Sequence, residues 1–83
     1  QDITAQNNAA LALIEAGRAE EAVALLQKAP QDASLQNLLG VAYLKQGNTE
    51  DARNLFRRAA SAGNAQAQAN LKMLEDYIEY YAE

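Results

Sequence analysis

The chain repeats its pattern of small and apolar residues after 30 positions, and this period limits the folds open to it more than any other feature. Six residues of the first half, Ala10, Leu13, Gly17, Ala22, Leu26 and Ala29, return in the second half as Gly40, Tyr43, Gly47, Ala52, Phe56 and Ala59. A period of this length is typical of stacked helical hairpins. One such hairpin cannot bury its apolar side chains alone, so neighbours stack and leave an extended face for a partner. The repeat therefore predicts binding rather than catalysis.

Helix is the predicted secondary structure along the whole chain, because apolar residues recur at spacings of three and four and Ala and Leu are frequent. We predict five helices, over about residues 3–16, 19–29, 33–46, 49–62 and 64–81. Gly17, Gly47 and Gly63 suit helix C-termini. Pro30 ends the second helix, and Asp32 is the predicted N-cap of the third.

The predicted core lies between the helices of each hairpin. Ala22 and Ala52 are expected where the helices cross closely, and Gly40 allows the third helix to approach its neighbour. A bulky residue in place of Gly40 is expected to unfold the chain. Larger side chains fill the remaining space, and we expect them to be Leu25, Leu26, Leu39, Tyr43, Leu55 and Phe56.

Catalytic chemistry has few candidates in this sequence. The chain has no His and no Cys, so its hydroxyl groups lack the usual activating base, and zinc binding is not expected. The acidic pairs Glu20-Glu21 and Glu50-Asp51 fall in the first turn of two equivalent helices, where the helix dipole explains them. The glycines are isolated, so no phosphate-binding loop is formed. We therefore expect no enzyme activity, no cofactor and no metal.

Charge is distributed unevenly. The net charge is -4, and all seven Lys and Arg residues lie within residues 1–72. The acids Glu75, Asp76, Glu79 and Glu83 follow with no base among them. This acidic end would repel phosphate groups, so nucleic acid is not an expected partner. No apolar run is long enough to cross a bilayer, and direct insertion into a membrane is not expected either.

The segment Leu39-Gly40-Val41-Ala42-Tyr43, followed by Gly47, Ala52, Phe56 and Ala59, resembles the tetratricopeptide repeat. Ala9-Ala10, Leu13, Gly17, Ala22, Leu26 and Ala29 resemble a degenerate first copy, and residues 59–67 are similar to Sel-type repeats. The resemblance implies an all-α α-solenoid of two hairpins and a C-terminal capping helix. We expect one domain over residues 1–83, with repeat 1 at about 3–30, repeat 2 at about 33–63 and the capping helix at about 64–82.

In tetratricopeptide domains the first helix of each hairpin lines a concave groove that binds a protein or peptide. The matching positions here, which the resemblance makes the expected partner-binding residues, are Asn7, Leu11, Ile14, Asn37, Leu38, Val41, Leu44 and Lys45. The amides of Asn7 and Asn37 could contact a peptide backbone, or they could bond locally on their own helices, and the sequence leaves both open. The apolar members favour a groove for hydrophobic side chains, unless neighbouring helices cover them.

The last predicted helix suggests a second interface. Its apolar residues recur at helical spacing, and three of the four tyrosines of the chain, Tyr77, Tyr80 and Tyr81, lie near its end. Part of this helix is expected to cover the second hairpin, and the rest could dock another repeat or another subunit. The alternative function is therefore a structural spacer or self-association segment of a larger protein, such as a cell-envelope assembly protein. The chain begins at Gln1 without a Met, which suggests a processed N-terminus or a fragment, and the cytoplasm and the cell envelope both remain open as its location.

Overall fold

The computed structural model describes residues 2–82 and contains five helices. They are α1 (Ile3–Glu15), α2 (Ala19–Gln27), α3 (Ala33–Lys45), α4 (Thr49–Ser61) and α5 (Ala65–Tyr81). No strand occurs within residues 2–82, so the prediction of an all-α fold is confirmed. None of the helices in this range is both long enough and apolar enough to span a membrane.

The turns inside the two hairpins have the same hydrogen bonds. Gly17 and Gly47 both have φ of +79°, a left-handed conformation that glycine adopts without steric cost. After α1, the N–H of Arg18 donates to the carbonyl of Leu13 at 2.8 Å, and after α3 the N–H of Asn48 donates to that of Tyr43 at 2.9 Å. Both are the six-to-one bond of a Schellman motif, which satisfies a carbonyl at the helix end. The sequence repeat thus builds two equal turns.

The connection between the hairpins differs from these turns. The second helix was predicted to reach Ala29, but it ends at Gln27, two residues earlier. Pro30 disfavours helical backbone at the residue before it, and this restriction reaches back into the last turn. The N–H groups of Lys28 and Ala29 bond to the carbonyls three residues before them, at 3.3 and 3.1 Å, so the helix tightens before it stops.

Aspartates cap the first helix of each hairpin. The carboxylate of Asp2 accepts from the N–H of Thr4 at 3.0 Å and of Ala5 at 3.4 Å. The carboxylate of Asp32 accepts from the N–H of Ser34 at 3.0 Å and also from Leu35. The predicted N-cap role of Asp32 is therefore confirmed. These bonds satisfy backbone donors that a helix start otherwise leaves unpaired.

The helices stack in chain order. α1 packs on α2 and α3, α3 packs on α2 and α4, and α5 packs on α4 and more lightly on α3. One buried cluster lies between α1, α2 and α3 and includes Ala10, Ala22 and Leu26. A smaller one joins Ala52 and Phe56 of α4 to Leu74 of α5. This arrangement is an elongated stack, 43 × 27 × 16 Å along its principal axes.

Three of the six predicted core side chains are buried, namely those of Leu26, Leu55 and Phe56. Leu25, Leu39 and Tyr43 are half-buried and pack against the first cluster, so they form the border of the predicted core rather than its buried centre. Tyr43 stays at the surface with its hydroxyl, which accepts a hydrogen bond from Gln27 Nε2 at 2.9 Å. A tyrosine with a polar tip suits this position between core and solvent.

Gly40 on α3 lies directly against the ring of Phe56 on α4. A Cβ atom built on this residue would lie 2.6 Å from Cε1 and 2.8 Å from Cδ1 of the Phe56 ring. Real side chains do not tolerate such distances, so α3 approaches α4 this closely only because residue 40 has no side chain. The predicted need for glycine at this position is confirmed.

Candidate functional site

The residues predicted to line a groove differ widely in how accessible they are. Leu11 on α1 is 40% exposed, and Lys45 at the end of α3 is also exposed. Val41 and Leu44 on α3 are half-buried. Leu11 and Val41 occupy equivalent positions, 30 residues apart, in the first helices of the two hairpins. These four residues, together with the half-buried Asn7, are the part of the predicted set that is not buried.

The structure uses other members of the predicted set inside the fold. Ile14 is 6% exposed and Leu38 is 8% exposed, and both belong to the first buried cluster. Asn37 is 4% exposed and is the one buried polar residue in the part of the chain that the structure describes. A partner cannot contact these side chains extensively without rearrangement of the helices. Their direct role in binding stays a prediction.

The two repeated asparagines connect successive first helices. Asn7 Nδ2 on α1 donates to Ser34 Oγ on α3 at 3.1 Å. Asn70 Nδ2 on α5 donates to Asn37 Oδ1 on α3 at 3.0 Å. A buried amide that is bonded in this way fixes the register of the elements it joins, because an unpaired one is costly. The side chains of Asn7 and Asn37 therefore hold α1, α3 and α5 in position.

An apolar pocket of about 390 Å³ opens beside the C-terminal end of α3. Its lining comes from α3, from the turn and start of α4, and from α5, and consists of Leu44, Gly47, Thr49, Met73, Leu74 and Tyr77. Leu44 was predicted to be in the groove, and Tyr77 was predicted to be in a separate interface. The structure brings both into one pocket, so the two predicted surfaces are continuous at this point.

The tyrosines lie at the exposed end of α5. Tyr80 is 75% exposed and Tyr81 is 66% exposed. The ring centroids of Tyr77 and Tyr81 are 4.6 Å apart, and those of Tyr80 and Tyr81 are 4.8 Å apart. Aromatic rings at these distances stabilise one another in tilted and edge-on arrangements. We call Tyr77, Tyr80 and Tyr81 the tyrosine cluster.

The other face of α5 covers the second hairpin, as expected. Leu74 is buried against Ala52 and Phe56, and Leu71 and Ile78 are half-buried at the border of the same cluster. At the surface, Arg57 of α4 forms an ion pair of 3.3 Å with Glu75 of α5. Exposed pairs of this kind stabilise a fold weakly. The position of α5 is thus set mainly by apolar packing.

One ionisable group near the start of α3 has a perturbed pKa. The Ser34 hydroxyl donates to the Asp32 carboxylate, and this bond lowers the pKa of Asp32. The N–H groups of Leu35 and Ser34 act in the same direction, because they also stabilise the charged form. Ser34 in turn accepts from Asn7, so the N-cap of α3 and the link to α1 form one hydrogen-bonded chain. These bonds account for the shift as part of the helix cap and do not indicate catalysis.

Asn70 is a site residue that sequence reasoning missed, whereas Met73 is one of the apolar residues at helical spacing that suggested a second interface on the last helix. Met73 is 57% exposed and lines the apolar pocket, and Asn70 is the partner of Asn37. The period of 30 residues gives no register for α5, because α4 and α5 are joined differently from α2 and α3. The signal in the sequence was Asn70, because its separation from Asn37 is close to, but not equal to, the separation between Asn7 and Asn37.

The five helices and their order of packing define a helical-hairpin repeat protein. A profile of the tetratricopeptide repeat matches residues 13–75, which is more than half of the chain. The chain belongs to the tetratricopeptide repeat family, so the family resemblance is confirmed. The similarity to Sel-type repeats is not tested by this match and stays a prediction. Searches among curated proteins and among solved structures found no significant match.

Proposed function

We propose that this chain binds a peptide, or an extended segment of a partner protein, through the predicted groove on α1 and α3. The tetratricopeptide repeat family, to which the chain belongs, generally mediates interactions between proteins. Leu11, Val41, Leu44 and Lys45 contact the partner in this proposal. It includes no catalytic role, and α5 acts in it as a cap on the second hairpin.

The observation that carries the proposal is the exposure of Leu11 at 40%. A large apolar side chain at an exposed helix position gains little for the fold, whereas the equivalent Val41 is half-buried in the next helix. Single exposed apolar residues are common on protein surfaces. Here, however, Leu11 and Val41 occupy the same position of the repeat. Leu44 is a further apolar residue of α3, and it lines the pocket next to α5. Together they offer spaced contacts for alternate side chains of an extended peptide.

The hydrogen bonds of Asn7 and Asn37 support the same proposal. They hold α1, α3 and α5 at fixed positions before any partner arrives. A surface that is already ordered loses less conformational entropy when it binds, and this raises its affinity for a given contact area. The amides thus contribute to binding by positioning the helices, while the exposed residues make the contacts.

The test is selection of peptides from a displayed library on the intact chain, followed by titration of a selected peptide by fluorescence anisotropy. We expect Leu11→Glu to weaken binding by at least about tenfold, because it places a charge where an apolar side chain is bound. The matched control is Ala12→Glu, which adds the same residue at the next exposed position of α1. Circular dichroism checks that both variants keep the helices.

Two results would overturn the proposal. The first is a selected peptide that binds Leu11→Glu and Ala12→Glu with equal affinity to the parent chain. The second is a selection that yields no peptide above background on a folded chain. Lys45→Glu is the second variant, because Lys45 is exposed and its replacement does not disturb the core. A change in affinity with Lys45→Glu but not with Leu11→Glu would likewise overturn the proposed contact at Leu11 and would place binding at the end of α3 instead.

A further inference from the structure

Most of the large exposed apolar side chains of the described chain lie on the surface that joins the apolar pocket to the tyrosine cluster. Large exposed apolar side chains in residues 2–82 are Leu11, Met73, Tyr77, Tyr80 and Tyr81, and four of these five lie on α5. Met73 and Tyr77 line the pocket of about 390 Å³, and Tyr77 also belongs to the tyrosine cluster. Contiguous apolar surface with a concave centre is typical of a docking site.

The charge around this surface is negative. Glu75, Asp76 and Glu79 lie on α5 within the same stretch as the tyrosines, and no Lys or Arg follows Lys72. Glu75 and Asp76 are partly compensated by exposed ion pairs with Arg57 and Lys72, at 3.3 and 3.1 Å. Glu79 forms no ion pair within residues 2–82.

The end of α5 adds to this negative potential. The C-terminus of a helix carries partial negative charge from its unpaired carbonyls, and a basic residue in the last turn compensates it where one is present. α3 and α4 have Lys45 and Arg58 in their last turns, whereas α5, like α1 and α2, has no basic residue there. The tyrosine cluster thus surrounds a helix end at which the dipole and the side chains have the same sign.

We infer that the occupant of this surface is a segment of a partner protein that is both apolar and basic. An apolar side chain of the segment enters the pocket beside Leu44 and Tyr77, and flanking Lys or Arg side chains lie against the tyrosine rings and the acidic end of α5. Cations bind favourably over aromatic faces, and carboxylates strengthen this binding. The inference rests on the proposed function, because Leu44 belongs to both surfaces.

A second copy of the chain fits this surface less well. In a symmetric dimer the same patch faces itself, so Glu75, Asp76 and Glu79 of one copy would meet those of the other. Like charges brought together in this way weaken association. A basic segment removes this repulsion and supplies the compensating charge that the last turn of α5 lacks.

The experiment uses two labelled synthetic peptides with the same central Phe-Leu pair, one flanked by lysines and the other by glutamates at the same positions. Fluorescence anisotropy with the intact chain at low salt is the readout. We expect the lysine peptide to bind at least about tenfold more tightly than the glutamate peptide, and added salt to reduce that difference. Tyr77→Ala is expected to weaken binding of the lysine peptide by about tenfold, and Glu79→Gln by about two- to threefold.

Leu11→Glu separates this inference from the proposed function. If the lysine peptide needs Met73 and Tyr77 but is indifferent to Leu11→Glu, the surface on α5 binds by itself and the groove on α1 is not involved. If Leu11→Glu abolishes selected-peptide binding while Met73→Ala and Tyr77→Ala leave the lysine peptide unaffected, the groove is supported and this inference is overturned. Equal binding of the two peptides also overturns it. Light scattering tests the alternative occupant, a second copy of the chain. A molar mass that doubles as the concentration rises, and that returns to the mass of one chain in Tyr77→Ala, would assign the surface to a dimer and overturn the inference.

Discussion

The two hairpins share their turns but fill the space between their helices differently. The first, α1 and α2, has Ala10 and Leu26 at the two positions where the second, α3 and α4, has Gly40 and Phe56. All four residues are buried. In the second hairpin, α3 has the smaller residue, Gly40, and α4 has the larger one, Phe56. The ring of Phe56 occupies the place that a Cβ at position 40 would take. The two hairpins thus divide the space at this pair of positions differently between the two helices.

The second helices of the hairpins also differ in length. α2 has 9 residues and α4 has 13, although both begin after the same kind of glycine turn. The short connection through Pro30 ends α2 early, whereas α4 continues to Ser61 and is followed by the left-handed Gly63. The longer α4 provides the surface on which α5 packs. Pro30 therefore contributes to the difference between the two neighbours of α3: α2 is short, whereas α4 is long enough for α5 to pack on it.

The pair at Gly40 and Phe56 gives the largest expected effect. Gly40→Ala places a Cβ within 2.6 Å of the ring, and we expect it to lower the free energy of unfolding by about 1–3 kcal/mol. Combining it with Phe56→Leu recreates the pair of the first hairpin. The double variant is expected to be more stable than the sum of the two single changes predicts, as measured by urea unfolding.

The reverse exchange in the first hairpin is the control. Ala10→Gly on its own removes a buried methyl group from a helix, and we expect a cost of about 1–2 kcal/mol. Adding Leu26→Phe recreates the pair of the second hairpin and is expected to recover part of that cost. If Gly40→Ala and Phe56→Leu are simply additive, the two positions do not compensate each other. The difference between the two hairpins at these positions would then be a difference in sequence without an energetic link between the two residues.

Much of this architecture could be predicted from the sequence because it depends on local signals. Glycine at 17 and 47, proline at 30 and aspartate at 32 each act on the residues next to them, and the apolar spacing reports which face of a helix is buried. The site was harder. The burial of Asn37 depends on the register of α5, which is set by packing on α4 rather than by any period in the chain. The meeting of Leu44 with Tyr77 in one pocket has the same cause.

The two side-chain hydrogen bonds between helices, from Asn70 to Asn37 and from Asn7 to Ser34, give the next largest expected effect on the free energy of unfolding. Asn70→Ala removes the donor to the buried Asn37 Oδ1, and an acceptor left without a partner in the interior costs about 1–3 kcal/mol. Asn7→Ala removes the corresponding donor to Ser34, but Ser34 is half-buried and keeps its bond to Asp32. We therefore expect Asn7→Ala to cost about 1 kcal/mol or less. Thermal and urea unfolding of both variants measure this difference, and equal losses would show that the two junctions are equivalent.

The smallest effect concerns the N-cap of α3 and depends on pH. The pKa of Asp32 is lowered in the folded chain, mainly by the bond from the Ser34 hydroxyl. A carboxylate whose folded-state pKa lies below its unfolded-state value stabilises the fold when the pH is above the unfolded-state value, and this contribution is lost as the pH falls through the folded-state value.

Asp32→Asn keeps a residue that caps helices well but removes the charge. We expect the variant to be less stable than the parent chain by no more than about 0.5 kcal/mol near pH 7, because solvent screens a carboxylate at the surface, and the difference to shrink once the pH falls below about 4. Urea unfolding of both chains from pH 7 to pH 2 tests this, and a difference that stays constant over the range would mean that the charge of Asp32 contributes nothing beyond the shape of its cap. The result also bears on the comparison of hairpins, because Asp2 caps α1 without a serine two residues later and Asp32 caps α3 with one.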